Sequence, residues 1–78
     1  MIGLIIMDFS EYLRFTRLFH GLTQKEIAAR LGYTQALISE VENKRKHPST
    51  RLKVALTREF PRTIEFERFL IELKMEMV

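Results

Sequence analysis

Apolar residues recur with the period of an α-helix along most of the chain, in five segments separated by glycine, proline or capping residues. The pattern is clearest near the C-terminus, where apolar residues three and four positions apart fall on one helix face. These residues are Phe66, Phe69, Leu70, Leu73 and Met77. Apart from residues 2–6, no segment shows the alternation of a β-strand, so the sequence predicts an all-α fold, a compact bundle of five helices.

The start and the end of the first helix are marked by residues that satisfy hydrogen bonds at helix termini. Asp8 and Glu11 have the spacing of a capping box, in which each side chain accepts a hydrogen bond from the backbone N–H of the other. Gly21 can end this helix, predicted over residues 9–20, because glycine adopts the left-handed conformation without a Cβ clash.

The central segment contains two short helices joined by a tight turn. Thr23 and Glu26 form a second capping box, and Gly32 ends a helix over residues 24–31. Thr34 then caps a third helix. Two short helices that cross steeply after such a turn form a helix-turn-helix, and we expect this segment to be the functional centre.

Two further helices follow proline residues. Pro48 breaks the chain, and Ser49 offers the N-cap of a fourth helix that extends to about Phe60. Pro61 separates this helix from a fifth, which begins near Thr63 and almost reaches the C-terminus.

The length of 78 residues, 46% of them hydrophobic, suits one small domain with a modest core. We divide it into an apolar N-terminal arm (residues 1–7), a helix-turn-helix core (8–60) and a C-terminal amphipathic helix (61–78), a possible dimerisation element. The arm is either a disordered leader or a segment that packs across a dimer, since its isoleucine and leucine side chains favour burial.

The positive charge of the chain is concentrated in one strip. The formal net charge is only +3, but five basic residues follow the third helix closely, namely Lys44, Arg45, Lys46, Arg51 and Lys53. Such a strip suggests an anionic partner such as a phosphate backbone. The alternative is a solvated surface loop.

Several functional classes lack support in the sequence. There is no cysteine, so disulfides and thiolate metal sites are excluded, as is usual in a reducing cytoplasm. No segment has the length of a transmembrane helix or the layout of a signal peptide. His20 and His47 are interpreted as surface or capping residues, because no other catalytic group accompanies them. We therefore expect no enzyme activity, no cofactor or metal, no small-molecule ligand and no membrane partner.

From about Leu13 to Phe60 the sequence resembles the lambda-repressor/Cro-like (XRE-type) helix-turn-helix family. The resemblance rests on Arg17, Gly21-Leu22-Thr23-Gln24, Glu26-Ile27-Ala28, Leu31-Gly32-Tyr33-Thr34-Gln35, Ile38-Ser39, Val41-Glu42-Asn43 and Pro48-Ser49. It implies a five-helix lambda-repressor-like fold, binding to double-stranded operator DNA, usually as a homodimer, and a role in transcription.

The third helix has an inner and an outer face. At about 100° per residue, Val41 and Glu42 lie on the side of Ile38, whereas Ala36, Glu40 and Asn43 point away from it. In a helix-turn-helix the outer face and the N-terminal end of the second helix enter the major groove. The residues expected to read bases are Gln35, Ala36, Leu37 and Glu40.

Among these four residues, the chemistry of Gln35 is the clearest. Its amide can pair bidentately with adenine N6 and N7, and Ala36 permits close approach or contact with a thymine methyl. Leu37 and Glu40 depart from the family pattern. They either contact a thymine methyl and cytosine N4, respectively, or merely flank the interface.

The remaining site residues follow from the resemblance. Phosphate contacts are expected from Gln24, Thr34, Asn43, Lys44, Arg45 and Lys46. Lys44 stands where the family often has glycine, so we expect the end of the third helix to be either strained or slightly rearranged. Arg17 and Glu42 are implied to form a partly buried salt bridge. The expected dimer interface is Phe66, Phe69, Leu70, Leu73 and Met77.

The leading hypothesis is therefore a transcriptional regulator, expected to be a repressor, that binds operator DNA as a dimer in the bacterial, phage or archaeal cytoplasm at the nucleoid. The alternative is an antitoxin or anti-repressor-like module that grips a protein partner on the same fold. Leu37 and the apolar fifth helix favour this alternative, and fold alone does not decide between them.

Overall fold

The computed structural model of the protein describes residues 7–76 and contains five helices. They are α1 (Phe9–Phe19), α2 (Gln24–Leu31), α3 (Gln35–Glu42), α4 (Thr50–Glu59) and α5 (Ile64–Glu76). No strand occurs within these residues. The prediction of an all-α fold is confirmed, while the expectations for residues 1–6 and for Met77 concern parts of the chain outside the described range.

Both predicted capping boxes are present. The backbone N–H of Glu11 donates to Asp8 Oδ1 over 2.9 Å, and that of Glu26 donates to Thr23 Oγ1 over 3.0 Å. The N–H of Thr23 donates in return to Glu26 Oε1 over 2.8 Å. These bonds satisfy backbone donors that a helix N-terminus would otherwise leave without a partner, and they fix where α1 and α2 begin.

The first three helices end in the same hydrogen-bonding pattern around a left-handed residue. This residue is Gly21 (φ 66°) after α1, Gly32 (φ 80°) after α2 and Lys44 (φ 61°) after α3. In the third case the N–H of Arg45 donates back to the carbonyl oxygen of Glu40 over 2.9 Å, as in a Schellman motif. Lys44 carries a Cβ in a region that disfavours it, so the expected strain lies at this residue.

The hydrophobic core joins the first four helices. Its members are buried side chains from each of these helices and the residue that follows α4. They are Leu13, Ile27, Ala28, Leu31, Ile38, Val41, Leu52, Leu56 and Phe60. Because α3 contributes Ile38 and Val41 from one side only, the core fixes which side of that helix faces outward.

The fifth helix packs against α1 through aromatic and aliphatic side chains. Phe66 is 3% exposed and Leu70 is 1% exposed, and the Phe66 ring centre lies 5.4 Å from that of Phe19 and 6.0 Å from that of Tyr12. The prediction that Phe66 and Leu70 face a second copy therefore needs correction. The amphipathic pattern was correct, but a single chain already buries this face.

The outer side of α5 carries a second apolar stripe. Ile64, Ile71 and Met75 are 54%, 49% and 72% exposed. Phe69 and Leu73, the other predicted interface residues in the described range, are half-buried on the same side of α5 as Phe66 and Leu70. The side of α5 that remains available to a partner is thus opposite to the predicted one.

Candidate nucleic-acid interface

A buried hydrogen-bonded cluster fixes the position of α3. Arg17 Nε and Nη2 donate to the two carboxylate oxygens of Glu42 over 2.9 and 3.0 Å, and Arg17 Nη1 donates to the Leu22 carbonyl over 3.1 Å. The side chains of the pair are only 15% and 4% exposed. This bidentate pair joins α1, the segment before α2 and the end of α3, so it sets the direction in which the outer face of α3 points.

Gln24 belongs to the same cluster. Its Nε2 donates to Glu42 Oε1 over 3.2 Å, and its side chain is half-buried at the start of α2. This bond occupies one of the two amide N–H donors, which leaves the other donor and the carbonyl oxygen. Gln24, predicted from the resemblance as a phosphate contact, therefore also connects α2 with α3.

The outer face of α3 is open to solvent. Gln35, Ala36, Glu40 and Asn43 are all exposed. The helical period predicted this for Ala36, Glu40 and Asn43, and Gln35 is exposed at the N-terminal end of the helix. Within the described residues their side chains make one hydrogen bond, from Asn43 Nδ2 to Ser39 Oγ over 3.3 Å. Gln35 lies in the first turn of α3, where a side chain of a groove-bound helix reaches base edges.

Leu37 is less exposed than these four residues. It is half-buried, packs against the hydrophobic core and lines a shallow depression together with Val41, Pro48 and Leu52. This location agrees better with the alternative that Leu37 flanks the interface than with a direct contact to a base.

The turn before α3 provides polar groups at the same surface. Thr34 is exposed and its Oγ1 accepts a hydrogen bond from the Leu37 N–H over 3.2 Å, which caps α3. Its hydroxyl proton remains available to a phosphate oxygen. The neighbouring N-terminus of α3 adds backbone donors with a partial positive charge.

All five residues of the basic strip after α3 are exposed. Arg45, Lys46, Arg51 and Lys53 take part in no ion pair within residues 7–76. Lys44 differs, because its Nζ lies 2.9 Å from Asp8 Oδ2 at the start of α1. Four cations that follow α3 in the chain are therefore free to attract an anion, and the fifth already has a carboxylate partner.

Three ion pairs were not predicted from the sequence. Lys44–Asp8 and Arg30–Glu59 join segments that are far apart in the chain. The third joins Arg62 to Glu67, five residues away, through bonds of 2.6 and 3.0 Å, and the Arg62 guanidinium lies 5.5 Å from the Tyr12 ring centre. Glu67 is 6% exposed, although the apolar spacing of α5 gave no sign that an acidic residue would be buried there.

The described residues contain no cluster of three histidine, cysteine, aspartate or glutamate side chains that could hold a metal ion. The His20 ring lies tilted against the Phe60 ring, with ring centres 4.7 Å apart, and His47 is exposed in the basic strip. No helix in this part of the chain combines the length and the apolar character that crossing a membrane requires.

Comparison with known proteins agrees with this geometry. A family model described as helix-turn-helix matches residues 13–66, which is more than half of the chain. The match covers α1 from Leu13 onward, all of α2, α3 and α4, and the beginning of α5. No curated protein and no solved structure shows a significant match.

Proposed function

The chain belongs to the lambda-repressor-like helix-turn-helix family of DNA-binding regulators, and on this premise we propose that it represses transcription by binding operator DNA as a dimer. The observation that supports this proposal best is the two-sided character of α3. Its inner side is anchored by the Arg17–Glu42 pair, its outer side is exposed, and a strip of free cations follows the helix in the chain. This is the arrangement that a helix needs in order to lie in a major groove.

The outer side of α3 supplies base recognition in this proposal. Gln35 pairs with an adenine, Ala36 allows the backbone to approach closely, and Glu40 accepts from a cytosine amino group. Leu37 supports the helix from the edge of the core. The identity of the operator then depends mainly on Gln35 and Glu40.

Phosphate contacts position the protein on both sides of the groove. Gln24 and Thr34 serve one strand, while Asn43, Arg45 and Lys46 serve the other. These groups carry no sequence information, so their loss weakens binding to all DNA sequences alike.

The test is a titration of DNA affinity against salt concentration. Each phosphate contact releases counterions, so the logarithm of the association constant should fall by roughly 0.9 per contact for each tenfold rise in salt. With several contacts we expect a steep negative slope. An association constant that is independent of salt would refute the proposed function.

The dimer is proposed to form through the outer stripe of α5, namely Ile64, Ile71 and Met75. Leu18 on α1 is also 46% exposed, but it lines a depression with Leu73 and is not part of this stripe. In an antiparallel pair of α5 helices, Arg68 of one copy comes near Glu72 of the other, which favours this orientation over a parallel one.

Replacing Ile71 by glutamate should convert the dimer into a monomer, because the substitution places a charge in the middle of the apolar stripe. A matched control is Val54→Glu, since Val54 is equally exposed (48% against 49%) but lies on α4. Light scattering at several concentrations measures the mass. A monomeric wild-type protein, or equal effects of both substitutions, would contradict this interface.

The same exposed stripe keeps a second candidate function open, in which α5 binds a different protein, as an antitoxin or anti-repressor would. A stoichiometric partner that co-purifies after nuclease treatment and is lost in Ile71→Glu would support this candidate.

Repression itself is tested with a reporter gene placed behind a selected operator. We propose that the protein acts at the nucleoid, where its DNA target lies.

A further inference from the structure

A basic depression lies between the start of α1 and the segment that follows α3. Its volume is about 320 Å³. The charged or titratable side chains around it are Lys44, Lys46, His47, Lys53 and Asp8. One carboxylate thus stands among three lysines and a histidine, on the side of the molecule that carries the free cations of the basic strip.

Asp8 serves two purposes at this place. Its Oδ1 caps α1 by accepting from the Glu11 N–H and the Ser10 hydroxyl over 2.9 and 2.7 Å, and its Oδ2 faces the Lys44 ammonium at 2.9 Å. The hydrogen bond from the Glu11 N–H is the main reason why the pKa of Asp8 falls to about 2. The carboxylate is therefore charged at neutral pH and occupies the position of an anion in the depression.

The Lys44–Asp8 pair can exchange partners easily. The two side chains are 61% and 52% exposed, so the pair is solvated and contributes little to stability. Lys46 and Lys53 line the same depression and have no ion-pair partner among the described residues. A phosphate that enters between them meets two free cations and a third that is held by Asp8.

We propose that this depression binds a phosphate of the DNA backbone and that Asp8 competes with this phosphate for Lys44. The inference rests on the proposed DNA-binding function. It adds Lys53 to the phosphate contacts and changes the role of Lys44, which contributes less to binding in the native protein than its charge suggests. Asp8 thereby limits the affinity for DNA of any sequence.

The experiment measures the salt dependence of binding to a duplex of random sequence for the wild type, Asp8→Asn, Lys44→Gln and the double variant. Asparagine is as good an N-cap as aspartate, so Asp8→Asn removes the charge and preserves the start of α1. We expect Asp8→Asn to steepen the slope of the logarithm of the association constant against the logarithm of salt concentration by roughly 0.9. If the plots of wild type and variant meet near 1 M salt, this corresponds to about eightfold tighter binding at 0.1 M salt.

The double variant separates competition from a general charge effect. If Asp8 acts through Lys44, Asp8→Asn should have no effect on the slope in the Lys44→Gln background. Glu65→Gln, which neutralises an exposed acid on α5, is the matched charge control and should leave the slope unchanged. Lys53→Gln in the wild-type background should flatten the slope by roughly 0.9.

The inference and the proposed function fail in different ways. A wild-type protein without salt-dependent DNA binding refutes the function. Salt-dependent wild-type binding with an unchanged slope in Asp8→Asn, or with the same steepening in the double variant, refutes the competition by Asp8. An unchanged slope in Lys53→Gln refutes the phosphate site in the depression.

Discussion

The two sides of α3 differ in almost every physical respect. On the inner side, Ile38 and Val41 are buried, and Glu42 accepts hydrogen bonds from Arg17 and Gln24. On the outer side, Gln35 and its neighbours are exposed and make few contacts within the protein. The inner residues fix the position of the helix, whereas the outer residues are not needed for the fold and are available to contact DNA.

The largest effect is expected from breaking the inner anchor. Arg17→Met leaves Glu42 as a buried carboxylate without its ionic partner, which typically costs 3–5 kcal/mol, so we expect the free energy of unfolding to fall by about this amount. Urea denaturation followed by circular dichroism measures the change.

A matched control for this substitution is Arg30→Met. The Arg30–Glu59 pair also joins two helices, but its side chains are 50% and 42% exposed, so the loss should stay below about 1 kcal/mol. If Arg17→Met leaves the protein largely unfolded, the double variant Arg17→Met/Glu42→Leu should recover stability, because it removes the unpaired charge. Equal losses in Arg17→Met and Arg30→Met would contradict the role of the buried pair.

A smaller effect, on binding alone, is expected from the free cations. Lys46→Gln should flatten the salt dependence by roughly 0.9 and weaken binding about eightfold at 0.1 M salt, on specific and random DNA alike. Fluorescence anisotropy with a specific and a random duplex measures the affinity at each salt concentration. A loss confined to the specific duplex would mean that Lys46 reads bases rather than phosphates.

The backbone at the end of α3 offers a gain in stability. Lys44→Gly relieves the left-handed strain, worth about 1–2 kcal/mol, and removes only an exposed, solvated ion pair. We therefore expect a net stabilisation that is smaller than the strain itself in thermal or urea unfolding. A destabilised Lys44→Gly protein would show that the contact with Asp8 outweighs the strain.

The smallest effect concerns acid stability. The pKa of Asp8 is lowered from 3.8 to about 2, so the charged carboxylate stabilises the fold above pH 3.8, and this contribution is lost as the pH falls toward 2. Since the group is half exposed, we expect less than about 1 kcal/mol. The free energies of unfolding of wild type and Asp8→Asn, compared at pH 6 and pH 2, isolate this contribution. If the difference between the two proteins does not change with pH, the stabilising role of the charged Asp8 carboxylate is contradicted.

Local rules explain why so much of this fold was predictable. Capping boxes at Asp8 and Thr23 and the glycine turn at Gly32 act between residues close in the sequence, and the helical period assigns the two sides of α3. The family resemblance supplied the partners Arg17 and Glu42, which are 25 residues apart.

What the sequence did not reveal depends on contacts between distant segments. The spacing of Phe66 and Leu70 predicted an apolar face of α5 but could not tell whether α1 or a second copy covers it. The link between Asp8 and Lys44 requires the start of α1 to meet the end of α3, and no local pattern encodes this meeting. The exposure of Gln35 was predictable, but the base that it contacts depends on the DNA.

The central claim is that the outer side of α3 reads DNA, and selection from a random DNA pool with the wild type and with Gln35→Ala tests it most directly. We predict that the wild type enriches one motif, and that Gln35→Ala loses the preference for an adenine at one position per half-site while retaining the rest. No enriched motif with the wild type, or an identical motif with Gln35→Ala, would contradict the claim.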